Sequence, residues 1–168
     1  MAHPWTDTEF SLSNESADSE RYDLQIAVIS DTHNQIPERL PPALAPADEI
    51  WHLGDVCRPE TLNVLNTLSA VLTVVQGNND PYFHWEDRLL LERNGLRFQL
   101  QHLPPRSVDP TLTALLFGHM HYPIKEHLAG GLSLNPGAIT GPRNNSVSSF
   151  AWLSISTEGK WTWDIRSF

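Results

Sequence analysis

The sequence predicts an α/β domain in which two mixed β-sheets pack together with helices outside. One observation is a spacing. Asp31, Asp55 and Asn78 each follow a short, β-branched apolar run, at intervals of 24 and 23 residues (31→55, 55→78). That interval fits strand, turn, helix, turn, strand, with parallel strands whose carboxyl ends share one edge, where open α/β sheets build their sites. A second observation is that the rhythm changes after Asn78. Paired apolar runs now flank Asn94-Gly95 and Gly130-Gly131, the turn chemistry of antiparallel hairpins. The third is that helical patterning is scarce.

Residues 1–21 are rich in Ser, Asp, Glu, Thr and Asn. They read as a poorly ordered extension, because they bury too little to offset their ordering entropy. Docking of Trp5 and Phe10 on the domain is the alternative. The domain proper is assigned to residues 22–168. Residues 24–29 (Leu-Gln-Ile-Ala-Val-Ile) are expected to form a mostly buried strand. Residues 37–45 are a short helix candidate, opposed by Pro41-Pro42. Residues 58–68 are a better one, with Pro59 in the first turn and Leu62, Leu65 and Leu68 recurring on one face. Residues 81–85 (Pro-Tyr-Phe-His-Trp) form an aromatic-rich loop expected to flank the pocket. Hairpins are expected over 89–100 and 123–134, with a loop over 104–110 between them. The tail alternates as a last hairpin over 150–165, with Trp161 and Trp163 on one face.

At 168 residues the chain suits a single domain with a substantial core. Its formal charge of −9 disfavours nucleic acid as a partner, since such binders rely on basic surface. Cys57 is the only cysteine, which excludes an intrachain disulfide and points to a reducing, cytoplasmic setting. No apolar run approaches the roughly 18–20 residues that span a bilayer. The first residues lack the basic-then-apolar order of a secretory signal.

Five expected strands end in residue types that ligate metals through N or O. They carry Asp31 and His33, Asp55, Asn78, His102, and the pair His119 and His121. If the chain stays extended past residue 29, Asp31 and His33 point to one side. Each residue also has a plain structural reading. Asp31 and Asp55 serve as caps or turn residues, Asn78 favours a turn in Gly-Asn-Asn-Asp, and His119 and His121 are satisfied within a sheet. Those readings must all hold at once to remove the site. His52 reads as a core residue or a support for the ligands, and Cys57 as a small apolar filler.

The ordered set Asp31-x-His33, Gly54-Asp55, Gly77-Asn78-Asn79-Asp80, His102 and Gly118-His119-x-His121, followed by Asn135-Pro136-Gly137-Ala138 and Pro142-Arg143, resembles the calcineurin-like metallophosphoesterases. It is most similar to their small bacterial and archaeal phosphodiesterase branch, which shares its fold with a retromer subunit. The resemblance implies a four-layer α-β-β-α sandwich with two adjacent divalent metals. It implies that Asp31, His33 and His121 hold one ion, that Asn78, His102 and His119 hold the other, and that Asp55 bridges them. Manganese is the first expectation, with Fe, Zn or Ni as alternatives, because imidazole, carboxylate and amide donors suit them. The implied activity is hydrolysis of phosphodiester bonds in small molecules, by attack of a hydroxide bridging the metals. Arg143 is a candidate to neutralise phosphoryl charge, and His84 in the aromatic loop a candidate acid for the leaving group. Homo-oligomerisation stays open. The alternative function is a scaffold of the same fold with little catalysis. Two departures stand out. Asn79 occupies the position where larger relatives carry a histidine acid, and the family's His-Gly-His is here His102-Leu103-Pro104, whose proline removes a backbone donor from the rim.

Overall fold

The computed structural model describes residues 22–168. The expected extension 1–21, with Trp5 and Phe10, lies outside the described residues. Within them the apolar runs become strands much as their composition dictates. The strands are β1 (Leu24–Ile29), β2 (Glu49–His52), β3 (Val71–Val74), β4 (Arg88–Arg93), β5 (Leu96–Gln101), β6 (Ala114–Leu116), β7 (Pro123–Leu128), β8 (Gly131–Pro136), β9 (Ser149–Ile155) and β10 (Trp161–Ser167).

They form two five-stranded mixed sheets, ordered β10-β9-β1-β2-β3 and β4-β5-β6-β8-β7. In the first, β1, β2 and β3 run parallel, and β9 and β10 complete an antiparallel edge. In the second, β5, β6 and β8 run parallel between antiparallel edge strands. Asn94 and Gly95, both at positive φ (49° and 78°), make the two-residue turn between β4 and β5 that their sequence foretells. The inner faces meet in a core of Ile26, Val28, Trp51, Phe98, Leu100, Leu116, Leu134 and Leu153, all with no exposed surface. Trp161 and Trp163 cover its flank from one face of β10.

The outer face of the first sheet is covered by helix α1 (Leu40–Leu44) and by residues Pro59–Thr67. Pro41 and Pro42 sit in the first turn of α1, where a missing N–H is harmless, so they set its start rather than prevent it. The stretch Pro59–Thr67 is the helix expected over 58–68, wound as a 3-10 helix of nine residues. The physical reason is in the spacing. Leu62, Leu65 and Leu68 recur every third residue, which stays in register at 3.0 residues per turn but drifts around an α-helix. Leu62 and Leu65 are accordingly buried, and the residues between them are exposed. Over the second sheet the outer layer is the segment between β5 and β6. Its Val108 and Leu112 pack on Leu115 and Phe117, and among the described residues no helix lies there.

The two sheets are also joined at the end opposite the carboxyl ends of the parallel strands. Arg93 donates to both carboxylate oxygens of Glu49, at 2.6 and 2.8 Å, and Trp51 Nε1 donates to the same carboxylate at 2.8 Å. A forked pair of this kind is stronger than an ordinary surface pair. Arg93→Ala leaves Glu49 half-buried without its cation and is expected to lower stability by about 1–3 kcal/mol, as read by urea denaturation.

Candidate metal centre

The carboxyl ends of β1, β2, β5 and β6 converge on one edge, and the loops that leave them are stitched together by their backbones. Asp31 N–H donates to the Gly54 carbonyl, His33 N–H to Asp55, and Gly118 N–H to His102, all at 3.0–3.1 Å. Asp31 and His33 do not converge from extended chain. Their φ values are 56° and 42°, in the left-handed region. Asp55, His119 and His121 share that conformation, at 60°, 68° and 63°. A non-glycine residue there is uncommon and costs on the order of 1–3 kcal/mol, and such strain gathers at functional sites. Each loop turns sharply on leaving its strand, and that turn aims the side chain inward.

Two glycines permit the crowding that results. A Cβ on Gly77 would overlap the backbone nitrogen of Asp55, and one on Gly118 would overlap the Ser30 hydroxyl.

The side chains assemble into two groups, Asp31 with His33 and His121, and Asp55 with His102 and His119. The candidate ligand atoms within each group lie within 4.8 Å of one another. Asn78 Oδ1 is 3.0 Å from His119 Nδ1, which places it with the second group. Asp55 Oδ2 lies between the groups, 3.7 Å from His33 Nε2 and 3.4 Å from His102 Nε2. All seven residues singled out from the sequence are therefore together.

The donor atoms fit divalent cations. His102 Nδ1 is 2.7 Å from the Leu53 carbonyl and His121 Nδ1 is 2.7 Å from that of Gly141. Each nitrogen must donate there, so each ring presents a bare Nε2 inward when neutral. His33 Nε2 faces His121 Nε2 at 3.2 Å. Asp31 Oδ1 and His102 Nε2 are buried without a hydrogen-bond partner among the described residues. Buried orphan acceptors are costly unless something positive meets them.

The electrostatics agree. Burial alone would raise the Asp31 carboxyl, but His121 and His33 beside it outweigh burial and hold it well below the usual carboxylate range. Asp55 is likewise raised by burial and lowered more by His102 and Asn79, to about 2. Burial lowers His102, yet Asp55 and Asp31 raise it overall; His121 is raised chiefly by Asp31. His119 is lowered, by burial first and then by the charges of His102 and Arg143. Protons held at His102 and His121 compete with metal, so metal affinity should weaken as pH falls.

Other residues act on this group from outside it. His52 is fully buried. Its Nδ1 accepts from the Gly54 N–H at 3.1 Å, so its Nε2 donates to Thr32 Oγ1 at 3.0 Å. Burial pushes it down to about 3, and it remains a neutral support. Cys57 is half-buried with Sγ 3.5 Å from His33 Nδ1, and burial pushes its thiol up.

Three roles were missed in the sequence. Asp80 accepts backbone N–H bonds from Asp55 at 3.0 Å, Gly77 at 2.7 Å and Cys57 at 2.6 Å, fastening two site loops. Asn79 donates to both carboxylate oxygens of Asp55, by its N–H at 2.9 Å and its amide at 2.7 Å. Asn135, fully buried, donates to the Gly118 carbonyl at 2.7 Å and so sets the loop of His119. Asp80 had a local signal in Gly-Asn-Asn-Asp; the partners of the other two are loops far along the chain.

Arg143 N–H donates to the His121 carbonyl at 2.9 Å, its side chain is exposed, and its charge disfavours protonation of both His119 and His121. His84 stacks edge-on against Trp85 at 4.4 Å, in a depression lined also by Val74, Phe83 and Glu86. No described contact joins it to the seven. An open cavity of about 250 Å³ lies beside Asn78 and His102, walled by Gln76, Asp87, Arg88 and Leu103.

Two mixed sheets carry paired acid–imidazole clusters at one edge, an arrangement suited to holding divalent cations, and comparison with known proteins identifies the family. Residues 24–158 match the calcineurin-like phosphoesterase superfamily domain. A probable metallophosphoesterase of Methanothermobacter thermautotrophicus is 35% identical over 136 residues, which cover 70% of this chain and 78% of that protein. The structure of an archaeal phosphodiesterase superposes with a TM-score of 0.69 at 20% identity, covering 85% of this chain and 100% of its own. Vps29 of Entamoeba histolytica, complexed with Zn2+, superposes with a TM-score of 0.65 at 21% identity, covering 85% of this chain and 98% of its own. The chain belongs to the calcineurin-like phosphoesterase superfamily. Among its described residues no helix is long and apolar enough to cross a membrane.

Proposed function

We propose that this protein is a dinuclear-metal-dependent phosphodiesterase acting on small molecules. The observation that carries the reading is the position of Asp55 Oδ2 between the two groups, 3.7 Å from His33 Nε2 and 3.4 Å from His102 Nε2. Asp31, His33 and His121 would hold one ion, Asn78, His102 and His119 the other, with Asp55 shared. Two divalent ions so held supply Lewis acidity at the phosphoryl oxygens and acidify water. Mixed imidazole, carboxylate and amide donors favour manganese, with iron, zinc or nickel as substitutes.

The chain's own groups do the rest. Asn79 holds both oxygens of Asp55 and fixes its orientation. An amide cannot deliver a proton, so Asn79 serves in positioning, and diesters with good leaving groups should be preferred. His84, edge-on against Trp85 in the loop after Asp80, is the candidate acid for the leaving group. Arg143, attached by its backbone to His121, can fork onto the non-bridging phosphoryl oxygens.

The direct test is hydrolysis of bis-p-nitrophenyl phosphate by metal-stripped protein with and without added manganese. Turnover that requires the metal supports the reading; none with any of the four metals would favour a scaffold instead. Arg143→Ala should keep both ions bound and lower kcat/KM by roughly 10–100-fold, the scale of one or two charge-assisted bonds. Arg143→Lys should recover part, because an ammonium cannot fork. Full activity in the alanine variant would remove Arg143 from the chemistry.

A further inference from the structure

The loop after Asp80 carries two rings that the metal centre does not use. Tyr82 is 87% exposed and Phe83 90% exposed, and they meet edge to face with centroids 4.8 Å apart. Phe83 has φ 58°, a conformation that a bulky side chain seldom adopts. The base of the loop is nonetheless pinned. Gln76 Nε2 donates to the Pro81 carbonyl at 3.0 Å, and Gln76 Oε1 accepts the Trp85 N–H at 3.0 Å. The Gln76 N–H donates to the Glu86 carbonyl at 2.9 Å, and Trp85 packs onto the outer core of the first sheet. The rings are thus held out in water on an anchored frame.

That frame adjoins the centre. Gln76 immediately precedes Gly77-Asn78, and a cavity of about 390 Å³ is lined by Gln76, Asn78, Asp80, Tyr82, Phe83 and Asp87. It shares Gln76, Gly77, Asn78 and Asp87 with the cavity that reaches His102.

We propose that Tyr82 and Phe83 form a stacking subsite for a planar aromatic ring, a nucleobase in kind, carried by the diester whose phosphate lies at the metal centre. This rests on the phosphodiesterase reading above. Exposed aromatic faces bind bases by stacking with little regard to which base it is. Asp87, in the wall shared by the two cavities, is placed to accept a hydrogen bond from a sugar hydroxyl between ring and phosphate. The formal charge of −9 argues for a small nucleotide-type diester rather than a polymer, whose phosphates need a basic track.

The test compares two diesters with the same ring-free leaving group, the 2,2,2-trifluoroethyl ester of thymidine monophosphate and 2,2,2-trifluoroethyl methyl phosphate, with released trifluoroethanol followed by fluorine NMR. The wild type should favour the thymidine ester by about tenfold or more in kcat/KM, the scale of one stacked base. Phe83→Asn suits a left-handed backbone and removes the ring. It should erase most of that preference while leaving the methyl ester unchanged, Tyr82→Ala should erase part, and Phe83→Trp should retain it. Equal loss on both esters, or no loss on either, overturns the proposal. A calorimetric comparison of adenosine monophosphate with ribose phosphate, in manganese, reads the subsite without turnover. Tighter binding of the nucleotide, lost in Phe83→Asn, supports stacking even if neither ester is hydrolysed, an outcome that would sink only the phosphodiesterase reading. Equal binding of the two probes by the wild type overturns the subsite.

Discussion

Asp55→Asn is expected to lose at least one of the two metal ions and to lower kcat/KM by about a thousandfold or more. The substitution is nearly isosteric, so the effect isolates chemistry from packing. Asp55 Oδ2 accepts from the Asn79 amide at 2.7 Å and faces the Nε2 atoms of His33 and His102. An amide nitrogen in that place would confront the Asn79 donor and contribute no charge. The Lewis acidity of an ion is worth several kcal/mol in the transition state, and about 4 kcal/mol corresponds to a thousandfold in rate. The measurement is metal content by mass spectrometry and turnover of bis-p-nitrophenyl phosphate, beside the same pair for each other ligand variant. If His33→Ala loses more of both, Asp55 is not the shared ligand.

Asp80→Ala is expected to have the second largest effect, and to show it first in stability. The carboxylate takes three backbone N–H groups, those of Asp55, Gly77 and Cys57. Without it these donors lose their partner in a crowded loop junction, and a buried donor without one costs about 1–3 kcal/mol. Roughly 2–5 kcal/mol in all is a large part of the stability of a domain. The strained φ of Asp55 is held in place by the same bonds, so metal affinity should fall together with the thermal midpoint. Asp80→Asn, which keeps one acceptor oxygen, should lie between. A wild-type midpoint and full metal content in Asp80→Ala would show that the loops are fixed by other contacts.

Legibility in the sequence followed how local each determinant is. The strands could be read because Leu24–Ile29 or Leu96–Gln101 carry their own pattern, and Asn94-Gly95 names its turn. The seven clustered residues could be read because each is tied to a strand end, and the parallel order of β1, β2 and β3 brings such ends to one edge. The left-handed backbone at Asp31 and His33 could not be read, since neither is the glycine that usually announces it. The 3-10 helix was legible in principle. Leucines at 62, 65 and 68 have a period of three, a spacing that suits a 3-10 helix better than an α-helix. Asn79 and Asn135 escaped for another reason. Their partners, Asp55 and Gly118, are 24 and 17 residues away, and only the folded loops bring them together.

The central claim is that two adjacent ions share Asp55, and manganese titration of the metal-stripped protein followed by electron paramagnetic resonance tests it most directly. The expected result is two equivalents bound per chain, with a spectrum of exchange-coupled ions in the wild type. Asp55→Asn should bind fewer equivalents or give an uncoupled spectrum. A single equivalent in the wild type, or two that remain magnetically independent, would contradict the account.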